Sequence, residues 1–117
     1  KYINLEKIRQ IVAYKHYFEE FLSAQNDKVK AKIYKILELV EYQQKIPSTY
    51  LKKLQGTDGL YETRFALGSS IWRVFCFFDK GHLVILLNGF QKKSQKTPKK
   101  EIDKAVKLMK DYFNERD

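Results

Sequence analysis

Residues 60–90 read LYETRFALGSSIWRVFCFFDKGHLVILLNGF, and this stretch decides the fold. It divides into three β-rich runs, residues 60–67, 71–79 and 82–90, separated by Gly68-Ser69-Ser70 and by Lys80-Gly81. Glycine and serine supply the turn chemistry, and two such short connections join consecutive strands as hairpins. The middle run is apolar on both faces apart from Arg73, which predicts a central strand. The last run leaves through Asn88-Gly89-Phe90 into a lysine cluster: from Lys92 to Lys110 there are eight lysines against two acids, Glu101 and Asp103. Cationic groups fixed at a rigid strand end can hold phosphate with little ordering cost.

Outward from this core, helices are expected on both sides. QIVAY at residues 10–14 is short, β-branched and aromatic, and predicts a first strand. Residues 15–23 follow as a short helix with Tyr17, Phe18, Phe21 and Leu22 on its apolar face. Asn26 or Asp27 then caps a longer helix whose stripe is Val29, Ile33, Ile36, Leu37 and Val40, with Pro47 as a stop beyond it. Residues 48–55 (STYLKKLQ) read as one or two helical turns ended by Gly56, and Thr57-Asp58-Gly59 as a turn. At the other end, Thr97 is placed to cap a final helix with Pro98 at its first position. Ile102, Ala105, Val106, Met109, Tyr112 and Phe113 form the stripe of that helix. The expectation is an α+β fold: a small antiparallel sheet packed against two N-terminal helices and a C-terminal helix. One domain spans residues 1–117, with residues 1–9 flexible.

Composition narrows the function classes. A net charge of +9 points to a polyanionic partner, RNA first, or to an acidic protein. The single cysteine excludes a disulfide framework and fits a reducing compartment, so a cytoplasmic location is expected. Cys76 lies in an apolar run and reads as a buried small hydrophobe. No stretch approaches the roughly 18–20 apolar residues that span a bilayer. The two histidines, His16 and His82, are far apart, no metal-ligand spacing or Gly-rich phosphate loop is present, and no cofactor is expected.

The remaining chemistry is cationic. Arg64 alternates with Leu60, Glu62 and Ala66 on one strand face, where a surface salt bridge with Glu62 is the plain alternative to function. Arg73 interrupts a central strand and needs either a partner or a groove. Antiparallel pairing of their strands lets Arg64 and Arg73 line one surface. Lys92 and Lys93 stand at the mouth of the last strand. Lys52 and Lys53 flank Leu51 and Leu54, and Lys96 follows in the exit loop. Lys100, Lys104, Lys107 and Lys110 fall off the apolar stripe and read as the solvated face of the last helix.

Two segments, LKKLQGTDGLYETRF (residues 51–65) and IWRVFCFFDKGHLVILLNGFQKKSQKTPKKEI (residues 71–102), resemble the RelE/ParE toxin superfamily of type II toxin–antitoxin systems, in its HigB-like, phage Gp49-like branch. The motifs are Leu-Tyr-Glu-x-Arg, the Trp-Arg pair followed by Cys and Phe, and Gly-Phe-x-Lys-Lys-x-x-Lys-Thr-Pro. The likeness runs over about residues 11–113. It implies a RelE-like fold and a metal-independent, ribosome-dependent mRNA endonuclease (an mRNA interferase) that inhibits translation and growth. It further implies a cognate helix-turn-helix, HigA-like antitoxin, with operator DNA bound through that antitoxin, and no membrane partner. Matched to the family's motifs, Arg64, Arg73, Lys92 and Lys93 become the catalytic set and Lys52, Lys53 and Lys96 contact RNA. No tyrosine or histidine stands directly after the last strand, where other members place an acid or base, so the resemblance assigns no proton-transfer group. A gyrase-inhibiting ParE-type toxin and a non-toxic basic nucleic-acid-binding module remain open as alternatives.

Overall fold

The computed structural model describes residues 6–116. Within them the chain runs β1 (Gln10–Ala13), α1 (Tyr17–Ser23), α2 (Asp27–Tyr42), β2 (Leu51–Lys53), β3 (Tyr61–Leu67), β4 (Ser70–Asp79), β5 (Leu83–Lys92) and α3 (Lys99–Arg116). The strands form one five-stranded sheet in the order β1-β5-β4-β3-β2, with β4 at its centre. The expected α+β class therefore stands, built as three layers with α1 and α2 on one sheet face and α3 on the other.

Strand alternation explains the layers. Trp72, Val74 and Cys76 of β4 project from the same face as Phe65, Val84 and Leu86, and they pack on Phe18 and Phe21 of α1 and on the α2 stripe. Phe75 and Phe77 project oppositely, with Ile85 and Leu87, onto Ala105, Leu108 and Met109 of α3. Asn26 caps α2, its side chain accepting from Val29 N–H at 2.9 Å. At the other end of α2, the Arg9 guanidinium donates to the carbonyls of Val40, Gln43 and Gln44 at 3.1, 2.7 and 2.9 Å, satisfying orphan acceptors at the negative end of the helix. Ile8 and Arg9 N–H both donate to Glu41 O. Of the N-terminal segment expected to be flexible, residues 1–5 lie outside the described residues.

Three expectations are corrected. First, the sheet is mixed, because β1 runs parallel to β5, from Gln10↔Leu83 to Ala13↔Leu86. β1 is followed by two helices before any other strand, so no hairpin dictates its direction, and it reaches β5 by a long crossover. Second, residues 48–55 are not helical turns. A single turn closes on the Pro47 carbonyl, which accepts from Tyr50 and Leu51 N–H, and the chain then extends as β2 along the free edge of β3. The open edge of β3 offers a full backbone ladder, which a short helical segment there lacks. Third, α3 begins one residue later than expected: the Pro98 carbonyl accepts from Ile102 N–H, so Pro98 rather than Thr97 stands at the helix boundary.

The hairpins follow their turn residues, Lys80 and Gly81 both taking left-handed conformations with φ of 55° and 79°. The β4–β5 ladder contains one irregularity. Cys76 pairs with Leu86 but Val74 pairs with Gly89, so Leu87 and Asn88 together oppose Phe75. This is a β-bulge, and it moves every later residue of β5 to the opposite face.

Candidate anion-binding face

The bulge assembles the site. With it, Phe90 pairs with Arg73 and Lys92 pairs with Ile71; directly opposed residues project from the same face. On the other side of β4, Arg73 pairs with Arg64 and Phe75 with Glu62, and on β2 Lys52 pairs with Glu62. Lys52, Glu62, Arg64, Arg73, Phe90 and Lys92 therefore share the α3-side face across four adjacent strands. α3 packs on the part of that face formed by Phe77, Ile85 and Leu87, and at the arginine end Arg73 is buried while Arg64 is partly exposed. Asn88, inside the bulge, helps fix where α3 starts: its Nδ2 donates to Glu101 O and Oε1 at 3.2 and 3.1 Å.

Two guanidiniums on directly opposed residues repel. Glu62 answers that repulsion: its Oε1 lies 3.3 Å from Arg64 Nε and 3.5 Å from Arg73 Nε. The pairing is not a surface salt bridge, since the Glu62 and Arg73 side chains are only 5% and 7% exposed, while Arg64 keeps 27%. Arg73 Nη1 donates to Trp72 O at 3.1 Å, and Arg64 Nη1 reaches Ser48 O at 3.5 Å. Burial, and then the neighbouring Arg64 charge, push Arg73 below the usual guanidinium range; the Glu62 carboxylate opposes both. Glu62 Oε2 and both Nε atoms are buried without a hydrogen bond of good geometry. Chemically, this is a fixed pair of strong, planar donors able to take an oxyanion.

The other basic candidates separate. A cleft of about 500 Å³ at the Ile71–Lys92 end of these strands is lined by Ser69, Ile71, Lys92, Lys93, Ser94 and Gln95, without either arginine, so Lys92 and Lys93 come together at its wall. Lys52 joins the face from its edge. Lys53 does not: it pairs with Tyr61 and projects toward the α2 side. Lys96 is exposed in the loop between β5 and α3, where Ser94 Oγ donates to its carbonyl. His16 and His82 are exposed and away from this face; His16 stacks on Tyr17. Among the described residues no group of three or more His, Cys, Asp or Glu side chains is arranged to hold a metal ion. None of their helices is long and apolar enough to cross a membrane.

Sequence reasoning placed Glu62 on the arginine face but not beneath it, and it missed Phe90, which flanks Arg73 and packs on Phe75 at 5.6 Å between ring centres. The bulge that turns Phe90 inward leaves one local trace, the polar Asn88 followed by Gly89 at the end of an apolar run.

A family model of phage-derived Gp49-like proteins matches residues 20–110, which hold the end of α1, α2, strands β2 to β5 and most of α3. The chain belongs to the Gp49-like family. That family is one of RelE/HigB-like toxins, as the sequence motifs led us to expect. The match in this Gp49-like protein covers the whole arginine face, and β1 precedes it. No curated protein matches the chain.

Proposed function

We propose that this Gp49-like protein is the toxin of a type II toxin–antitoxin system and acts as an endoribonuclease on translated mRNA. The observation that carries the proposal is the Arg64–Arg73 pair, opposed on adjacent strands over one buried carboxylate. Cleavage proceeds by attack of the ribose 2′-oxygen on the adjacent phosphorus. A P–O bond forms to the 2′-oxygen, the bond to the 5′-oxygen breaks, and the 2′ proton leaves as the 5′-oxygen gains one. Arg64 and Arg73 bind the scissile phosphate and offset the charge that grows on its oxygens; arginine stays protonated and cannot act as base. Lys92, on the same face, and Lys52, at its edge, are the groups able to exchange protons with the reacting oxygens. Lys93 and Lys96 follow the RNA backbone beyond the cleft. The ribosome supplies the in-line geometry of the message. A helix-turn-helix antitoxin neutralises the protein, and the complex binds operator DNA through that antitoxin. The site of action is the cytoplasm.

The test is to map 5′ ends of cellular mRNA after induction. Wild type is expected to give codon-positioned cuts. Arg73→Ala is expected to reduce them by about 10²–10³-fold, the usual loss for one oxyanion donor, while remaining folded and antitoxin-bound. Undiminished cleavage by Arg73→Ala refutes the assignment of this residue. Growth arrest without positioned cuts, accompanied by DNA damage, transfers the protein to the gyrase-inhibiting class. Harmless expression in the absence of an antitoxin leaves a basic binding module.

A further inference from the structure

An arginine side chain is long, and left alone it spreads its charge over many rotamers. At Arg64 and Arg73 two contacts restrain each guanidinium. Nε faces Glu62 Oε1, at 3.3 and 3.5 Å, and Nη1 faces a main-chain carbonyl, of Ser48 or Trp72. Neither Nη2 has a hydrogen-bond partner among the described residues. Glu62 itself is buried, its Oε2 closed off from solvent, so it sits under the guanidiniums and out of reach of a bound molecule. One carboxylate against two guanidiniums leaves the cluster one positive charge in excess, which an oxyanion offsets.

We infer that Glu62 is the positioning residue of this site: it turns Arg64 and Arg73 so that their Nη2 groups together receive one phosphate. The inference rests on reading the face as a phosphate site, and it stands apart from whether RNA is cut there. Glu62 acts through the arginines and does not touch the substrate. Its worth is pre-organisation, since the donors need no reordering when the anion arrives.

The experiment uses the purified full chain with ¹⁵N-labelled arginine, following the Nε–H signals of Arg64 and Arg73 during titration with inorganic phosphate. In wild type both signals are expected to shift together along one binding curve. Glu62→Asp keeps the charge but withdraws the carboxylate by one methylene, about 1.5 Å. It is expected to weaken phosphate binding about tenfold and to uncouple the two signals, with the amide spectrum otherwise native. Wild-type affinity in Glu62→Asp overturns the inference. Should that variant fail to fold, Arg64→Lys, at the more exposed arginine, carries the same test. An ammonium can meet Glu62 or the phosphate but not span both, so about tenfold weaker binding is again expected, and unchanged binding overturns the inference. A wild-type protein whose arginine signals ignore phosphate overturns it together with the phosphate reading. Coupled signals in a protein that makes no cuts in mRNA uphold Glu62 and overturn the nuclease proposal.

Discussion

Gly89→Ala probes the joint between the fold and the arginine face. Gly89 is the residue at which β5 resumes its pairing after the bulge, opposite Val74, and it lies beneath the Phe21 ring of α1. A Cβ added there would stand 2.7 Å from Phe21 Cδ2 and Cγ and 2.9 Å from Cδ1. Carbon atoms settle at about 3.5–4.0 Å, so roughly 1 Å of separation must be found. Cγ is close to the root of the side chain, and Phe21 is buried against Phe18 and the α1-side core. A rotamer change alone does not supply the space; α1 or β5 must shift. Overpacking of this kind costs about 1–3 kcal/mol. At about 4 °C per kcal/mol for a domain of this size, the melting temperature should fall by roughly 4–12 °C. Thermal denaturation followed by circular dichroism measures it. The double variant with Phe21→Leu separates the cause, because the ring that clashes is then gone and the two costs should fall short of additive by about 0.5 kcal/mol or more. Strict additivity, or a Gly89→Ala protein that melts with wild type, refutes the reasoning that glycine is held here by the ring.

Three further outcomes follow from single groups. Asn26→Ala removes the side-chain acceptor of Val29 N–H and should cost about 1 kcal/mol in urea denaturation, whereas Asn26→Asp should cost little. Asp79 is held below the ordinary carboxylate value of 3.8 by hydrogen bonds from Arg116 and Tyr112. Its folded pKa is lower than its unfolded one, so its contribution is present above pH 3.8 and disappears as pH falls through the folded value. The stability gap between wild type and Asp79→Asn should therefore be wide at neutral pH and close in acid; a gap independent of pH refutes the assignment. Burial pushes the Cys76 thiol up to about 12, so the folded protein should resist alkylation at mildly alkaline pH and take up one equivalent once unfolded in denaturant.

Most of the fold was legible because its signals are local. The turn residues of both hairpins, the α2 stripe and its Asn26 cap, and the centrality of β4 all follow from neighbouring residues, and the strand order obeys them. What escaped depends on distant partners. β2 is three residues, two of them lysines, and only the bare edge of β3 makes Leu51–Lys53 a strand. The parallel direction of β1 depends on how a crossover through two helices lands. In the site, the alternation of Glu62 with Arg64 was readable, as was the possibility that Arg64 and Arg73 meet. The depth of Glu62 was not, because burial is set by four strands together. Lys53 was grouped with Lys52 by sequence adjacency, yet adjacent strand residues face opposite ways, and register alone separates them.

The parallel β1–β5 pairing has a consequence for the order of folding. β2 to β5 are joined by short connections, so their ladders close small loops and can form early. β1 pairs with residues more than seventy positions downstream, Gln10 with Leu83 at the start of the ladder. During synthesis from the N-terminus, β1 leaves the ribosome first and waits for its partner until nearly the whole sheet has emerged. The four strands that carry the arginine face need nothing from it to pair. The face can thus assemble on a meander that is already complete, and the first strand to be made is the last to be paired.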